Sequence, residues 1–155
     1  GGTVIVKAPF EERQNEIIAG NVSFYGATGG KAFINGSAGE RFCIRNSGVD
    51  VVVEGIGDHG LEYMTGGHVI NLGDVGKNFG QGMSGGIAYV IPSDVEAFVE
   101  NNQLDTLSFT KIKHQEEKAF IKQMLEEHVS HTNSTRAFYD DSKTIDAKHK
   151  PAVVY

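Results

Sequence analysis

The sequence predicts a mainly β fold: a single-stranded parallel β-helix of about five coils followed by C-terminal α-helices. Glycine spacing is the first observation. The doublets Gly1-Gly2, Gly29-Gly30, Gly66-Gly67 and Gly85-Gly86, with Ser47-Gly48 in the same role, each open a short apolar run. From Gly30 onward they recur at intervals of 18, 19 and 19 residues. Self-similarity at such a period marks stacked coils rather than a sheet assembled from distant segments. A second track between the doublets and a change of character at Pro92 complete the pattern.

The runs after the doublets are Thr3-Val-Ile-Val6, Lys31-Ala-Phe-Ile34, Val49-Asp-Val-Val-Val53, His68-Val-Ile70 and Ile87-Ala-Tyr-Val-Ile91. All are rich in the residues that favour strands. The second track, Ala19-Gly20-Asn-Val-Ser-Phe24, Ala38-Gly39-Glu-Arg-Phe-Cys-Ile44, His59-Gly60-Leu-Glu-Tyr-Met64 and Gly80-Gln-Gly-Met83, predicts a further strand per unit. Each strand would pair with its equivalent one coil along, a rise of roughly 4.8 Å per coil. Gly30, Gly48, Gly55, Gly57, Gly60, Gly67 and Gly86 are the expected structural corners, where a side chain would collide with the coil above. Asn21, Asn35, Asn46 and Asn71 suit turns.

Residues 1–92 therefore read as the glycine-rich β-helix. Ser93-Asp-Val-Glu96 has the form of a capping box and predicts a short helix to about Asn101. Within 111–131, Phe120, Ile121, Met124, Leu125, His128 and Val129 recur at helical spacing, a stripe that would dock on the β-helix or on a neighbour. Residues 93–131 form this helical appendage, and 132–155 an extended tail ordered only by contacts. The chain opens in the phase of a doublet with no polar capping unit, so further coils or another domain are expected before residue 1.

A chain of 155 residues with 39% hydrophobic content can bury a real core. Its net charge of −6 and lack of a basic stripe interleaved with aromatics argue against nucleic acid. The single cysteine, Cys43, lies in an apolar run and reads as an inert core thiol of a reducing compartment. With no long apolar span and no signal peptide, a soluble cytoplasmic protein without a membrane partner is the natural reading.

Chemical motifs are few. Gly55-Ile-Gly57-Asp-His-Gly60 matches the dinucleotide fingerprint G-x-G-x-x-G, but a helix must begin at the third glycine so that its amides face the pyrophosphate. Leu-Glu-Tyr-Met-Thr-Gly-Gly follows instead, another strand and corner. Gly80-Gln-Gly-Met-Ser-Gly-Gly lacks the Gly-Lys-Ser/Thr ending of a P-loop, and Lys77 lies on its wrong side. His128 and His131 could share a metal, but no third ligand cluster is in view; a surface helix with one half-buried histidine is the plainer reading. Asp58 with His59 could form an acid/base pair, yet Glu40, Asp50 and Glu62 fall on different phases of the repeat. The residues therefore predict no catalytic, cofactor-binding or metal site in this chain.

Longer matches carry more. The stretch Gly20-Asn-Val-Ser-Phe-Tyr-Gly-Ala-Thr-Gly-Gly-Lys-Ala-Phe-Ile-Asn-Gly36, with Val52-Val-Glu-Gly-Ile-Gly-Asp-His-Gly60, Asn78-Phe-Gly-Gln-Gly-Met-Ser-Gly-Gly86 and Glu126-Glu-His-Val-Ser-His-Thr132, resembles the C-terminal (GXGXG) domain of the glutamate synthase large subunit. The resemblance runs from residue 1 to about Ala137. It implies a right-handed β-helix with a noncatalytic, structural role, holding glutaminase and FMN synthase domains in register for reductive synthesis of glutamate from glutamine and 2-oxoglutarate. FMN and an iron-sulfur cluster would belong to upstream domains of the same polypeptide. FAD and NAD(P)H, or ferredoxin, would act through the partner, which is the small (beta) subunit or ferredoxin itself. After Ala137, Phe138-Tyr-Asp-Asp-Ser-Lys143 departs from the family pattern. The alternative is a free-standing β-helical assembly subunit of a multi-subunit redox enzyme.

Overall fold

A computed structural model describes residues 2–7, 17–20, 23–102, 104 and 107–149. Five parallel strands form the main ladder: β1 (Thr3–Lys7), β3 (Lys31–Asn35), β5 (Ser47–Val53), β6 (Thr65–Asn71) and β7 (Gly85–Val90). Two short strands, β2 (Ile17–Ala19) and β4 (Ser37–Ala38), pair with each other on a second wall. The remainder comprises α1 (Val95–Asn101), β8 (Leu107–Lys111), α2 (Gln115–Thr132) and β9 (Ile145–His149). The large sheet runs in the order β1-β3-β5-β6-β7-β9-β8.

Register sets the coil. Lys31 pairs with Asp50, Asp50 with His68 and His68 with Ile87, steps of 19, 18 and 19 residues. These are three regular turns of a β-solenoid, not the expected five coils. The ladder is shorter for two reasons. Thr3 reaches Lys31 only after 28 residues, outside the regular period. Beyond β7 the next strand is β9, which runs antiparallel and ends the stack.

From β3 to β7 the strands are apolar on both faces because both are covered, as in parallel sheets generally, whereas β1 at the edge leaves Val4 and Ile5 exposed. Ala32, Val51, Val69 and Ala88 line the solenoid interior, while Phe33, Val52, Ile70 and Tyr89 point outward beneath α2, whose Ile121, Met124 and Leu125 cover them. The helical stripe expected from the sequence thus docks on the solenoid. Val129 is outside the buried stripe, 40% exposed.

The second wall is thin. Beyond the Ile17–Ser37 pair it is a column in which Ala19 pairs with Ala38, Ala38 with Ile56, and Ile56 with Val75. The third wall corrects the second-track strands. Residues 40–45 and 58–63 are turns in which alternate residues are left-handed: Arg41, Cys43 and Arg45, then His59, Leu61 and Tyr63, with φ between 54° and 61°. Asn78, Gly80 and Gly82 repeat the alternation one coil on. The amides still bond between coils, Arg41 N–H to Asp58 O and Leu61 N–H to Phe42 O, both at 2.8 Å. Left-handed backbone costs a non-glycine residue about 1–2 kcal/mol, and here inter-coil hydrogen bonds and burial of Phe42, Cys43 and Leu61 offset it.

The end of the solenoid is closed by α1, whose Phe98 meets Phe79 and Phe109 edge-on. Asp94, rather than the expected Ser93, caps α1 by accepting from Ala97 N–H at 3.1 Å. The connecting stretch 103–110 contains most of β8, and the tail contains β9, which is inserted between β7 and β8. Among the described residues no helix is long and apolar enough to cross a membrane.

Cys43 faces the interior and is fully buried, which pushes its thiol far above the ordinary value. We therefore expect it to resist a thiol-specific disulfide reagent at pH 8 in the folded protein and to react fully once unfolded; rapid reaction in the native state would contradict this packing.

Candidate functional site

The seven predicted corners occupy two kinds of position. Gly30, Gly55, Gly67 and Gly86 have positive φ. Gly48, Gly57 and Gly60 do not, but the backbone of Thr28, the backbone of Gly39 and Glu40, and the side chain of Ile56 respectively stand where a Cβ would project. Gly55, Ile56 and Gly57 turn the corner at the second wall, and Gly60 lies within the left-handed turn that leads to β6. No helix begins there, so no helix N-terminus faces the fingerprint glycines.

Asp58 and His59 do not pair. Asp58 Oδ1 accepts from Lys77 N–H at 2.7 Å, while His59 Nδ1 contacts Glu62 Oε1. Asp50 binds His68, Nδ1 to Oδ1 at 2.8 Å, on the outer sheet face beside Phe120. Glu40 lies on the third wall, remote in phase from Asp50. His131 is exposed and lies against the Phe33 ring, 5.0 Å between centroids. Among the described residues no group of three His, Cys, Asp or Glu could hold a metal ion.

His128 is not the half-buried surface histidine expected. Its side chain and that of Glu54 are both 0% exposed, and Nε2 lies 2.9 Å from Glu54 Oε2. Helical phase on α2 brings His128 over the end of β5, where Glu54 follows three valines. The same Oε2 accepts from Asn35 Nδ2 at 2.8 Å and from Ser134 Oγ at 3.0 Å. Burial pushes the Glu54 carboxyl up, but the three hydrogen bonds and the attraction of His128 outweigh it, holding the group below its ordinary value. Asn133, left-handed at φ 58°, ends α2 and turns the chain so that Ser134 reaches the cluster. Sealed from solvent, this cluster fastens α2 to the coil stack and offers no path for a substrate.

Glu54 was legible only as an anomaly, a charge closing an apolar run. Nothing local names its partners, because Asn35, His128 and Ser134 lie 19, 74 and 80 residues away.

An accessible concavity lies elsewhere among the described residues. An open cleft of about 1050 Å³ runs between the 72–79 corner, α1 and the 136–143 loop. Its lining mixes apolar groups such as Leu72 and Phe98 with Asp74, Lys77 and Lys143.

Comparison with known proteins bears on what such a scaffold serves. The family model described as "GXGXG motif" matches residues 1–145. The large chain of NADPH glutamate synthase from Bacillus subtilis is 58% identical over 140 residues, covering 88% of this chain and 9% of that protein. NADH glutamate synthase of Schizosaccharomyces pombe is 46% identical over 138 residues, 86% of this chain and 6% of the relative. A ferredoxin-dependent glutamate synthase from Pyropia yezoensis is 41% identical over 140 residues, again 88% and 9%. The chain thus spans less than a tenth of the length of the relatives it matches. It belongs to the GXGXG family, in the form carried by glutamate synthase large chains.

Proposed function

We propose that this chain is the noncatalytic C-terminal domain of a glutamate synthase large subunit, a right-handed β-helical spacer that fixes glutaminase and FMN synthase domains relative to each other. Ammonia released from glutamine would then reach 2-oxoglutarate without escaping, since a transfer path leaks when its walls shift. One observation carries the reading. From β3 to β7 the sheet is covered on both faces, its interior filled by side chains from successive coils, and the buried Glu54–His128 contact fastens the covering helix. Such a body deforms little under load.

The donor set agrees with cofactors held elsewhere in the polypeptide. Iron-sulfur clusters take several thiolates, and the one cysteine here, Cys43, is enclosed in the core. Electrons from NAD(P)H through an FAD-bearing small subunit, or from ferredoxin, would enter through those other domains. The test is direct: residues 1–155, titrated with FMN and supplied with glutamine, are expected to bind no flavin and release no ammonia. Stoichiometric flavin binding or glutamine hydrolysis would overturn the assignment.

A further inference from the structure

We propose that the cleft between the 72–79 corner, α1 and the 136–143 loop seats an apolar element from another domain of the same polypeptide. This rests on the reading of the chain as one domain of a glutamate synthase large subunit. Phe138 on the rim is 73% exposed, the highest value among the large hydrophobic side chains of the described residues. Its backbone is nevertheless fixed. Phe138 N–H donates to Arg136 O at 3.0 Å, and the loop beyond is closed by Asp140, whose Oδ1 accepts from Ser142 N–H at 3.0 Å and Ser142 Oγ at 2.6 Å. An aromatic ring held on a braced turn and left in water is arranged as an anchor, since little ordering remains to be done on binding.

The cleft's size and composition select the occupant. At about 1050 Å³ it lies at the upper edge of small-ligand sites, but it is open to the surface rather than closed over. Its mixture of Leu72, Phe98 and Phe138 with Asp74, Lys77 and Lys143 matches contacts between domains of one chain, which are more polar than obligate interfaces. In the relatives, more than nine-tenths of the polypeptide lies outside the matched segment, so a large body of chain is available to fill it.

The experiment replaces Phe138 with photoreactive p-benzoylphenylalanine in the full-length polypeptide, irradiates it in dilute solution and maps the crosslinked peptides by mass spectrometry. Crosslinks to the same polypeptide outside these 155 residues are expected. Crosslinks confined to these residues, crosslinks to a second polypeptide, or none at all would overturn the proposal. As a second arm, Phe138→Asp is expected to lower amide protection in residues 72–79 of the full-length protein at least tenfold; unchanged protection would also overturn it. Internal crosslinks alone, in a protein where a solenoid substitution uncouples the two half-reactions, would sink the cleft and leave the domain assignment standing. Flavin bound by the isolated chain would remove that assignment instead.

Discussion

Glu54→Ala is expected to destabilise the domain by several kcal/mol, since each buried polar group left without its partner costs about 1–3 kcal/mol. The loss strands three donors at once, His128 Nε2, Asn35 Nδ2 and Ser134 Oγ, in a site without solvent. Urea unfolding followed by circular dichroism measures it, and a change under about 0.5 kcal/mol would show that the cluster does not secure α2. The pH dependence has a definite sign. Because the folded carboxyl is held below its ordinary 4.5, the unfolded chain binds more protons in the window beneath that value. Glu54 therefore contributes its full stabilisation above the ordinary value and loses it as pH falls through the folded one. In Glu54→Gln that part of the acid slope should vanish, with stability near neutrality reduced less than in the alanine variant.

Gly67→Val should produce the second large loss. At φ 80° a valine would sit in left-handed backbone, a strain of about 1–3 kcal/mol, with its Cβ against Val49 O and 2.8 Å from Asn46 Nδ2. Asn46 is itself buried and bonds Gly48 N–H, Val49 N–H and Val49 O, so displacing it disturbs the corner of the coil beneath. Gly29→Ala is the matched control: it belongs to a doublet of the same repeat, yet open space surrounds its Cβ position and its φ is not left-handed. Thermal melting should separate the two variants clearly, with Gly29→Ala within about 0.5 kcal/mol of the parent. Equal melting would refute the stacked-corner account.

These variants also mark what the sequence discloses. Repetition is local information, so the strands at Lys31–Asn35, Ser47–Val53, Thr65–Asn71 and Gly85–Val90 could be placed from spacing alone. The α2 stripe was readable for the same reason, since Ile121, Met124 and Leu125 share a face by helical period. The third wall was not. Its left-handed alternation falls largely on Arg41, Cys43, Arg45, His59, Leu61 and Tyr63, residues that ordinarily avoid such backbone, and only the coil above and below stabilises it. The coil count failed where periodicity met long-range reversal, at the 28-residue first step and at β9 folding back on β7. The Glu54 cluster failed likewise, because its members are brought together by tertiary packing. Likeness to glutamate synthases supplied what spacing could not, the identity of the enzyme that would use such a scaffold.

A solenoid that keeps ammonia release and ammonia use in register has a direct kinetic consequence. In the full-length polypeptide carrying Gly67→Val, glutamine hydrolysed is compared with 2-oxoglutarate converted under saturating reductant. Near-equal consumption in the parent and a clear excess of glutamine hydrolysis in the variant, with flavin content unchanged, is the predicted result. Equal ratios in a variant whose solenoid is demonstrably destabilised would contradict it.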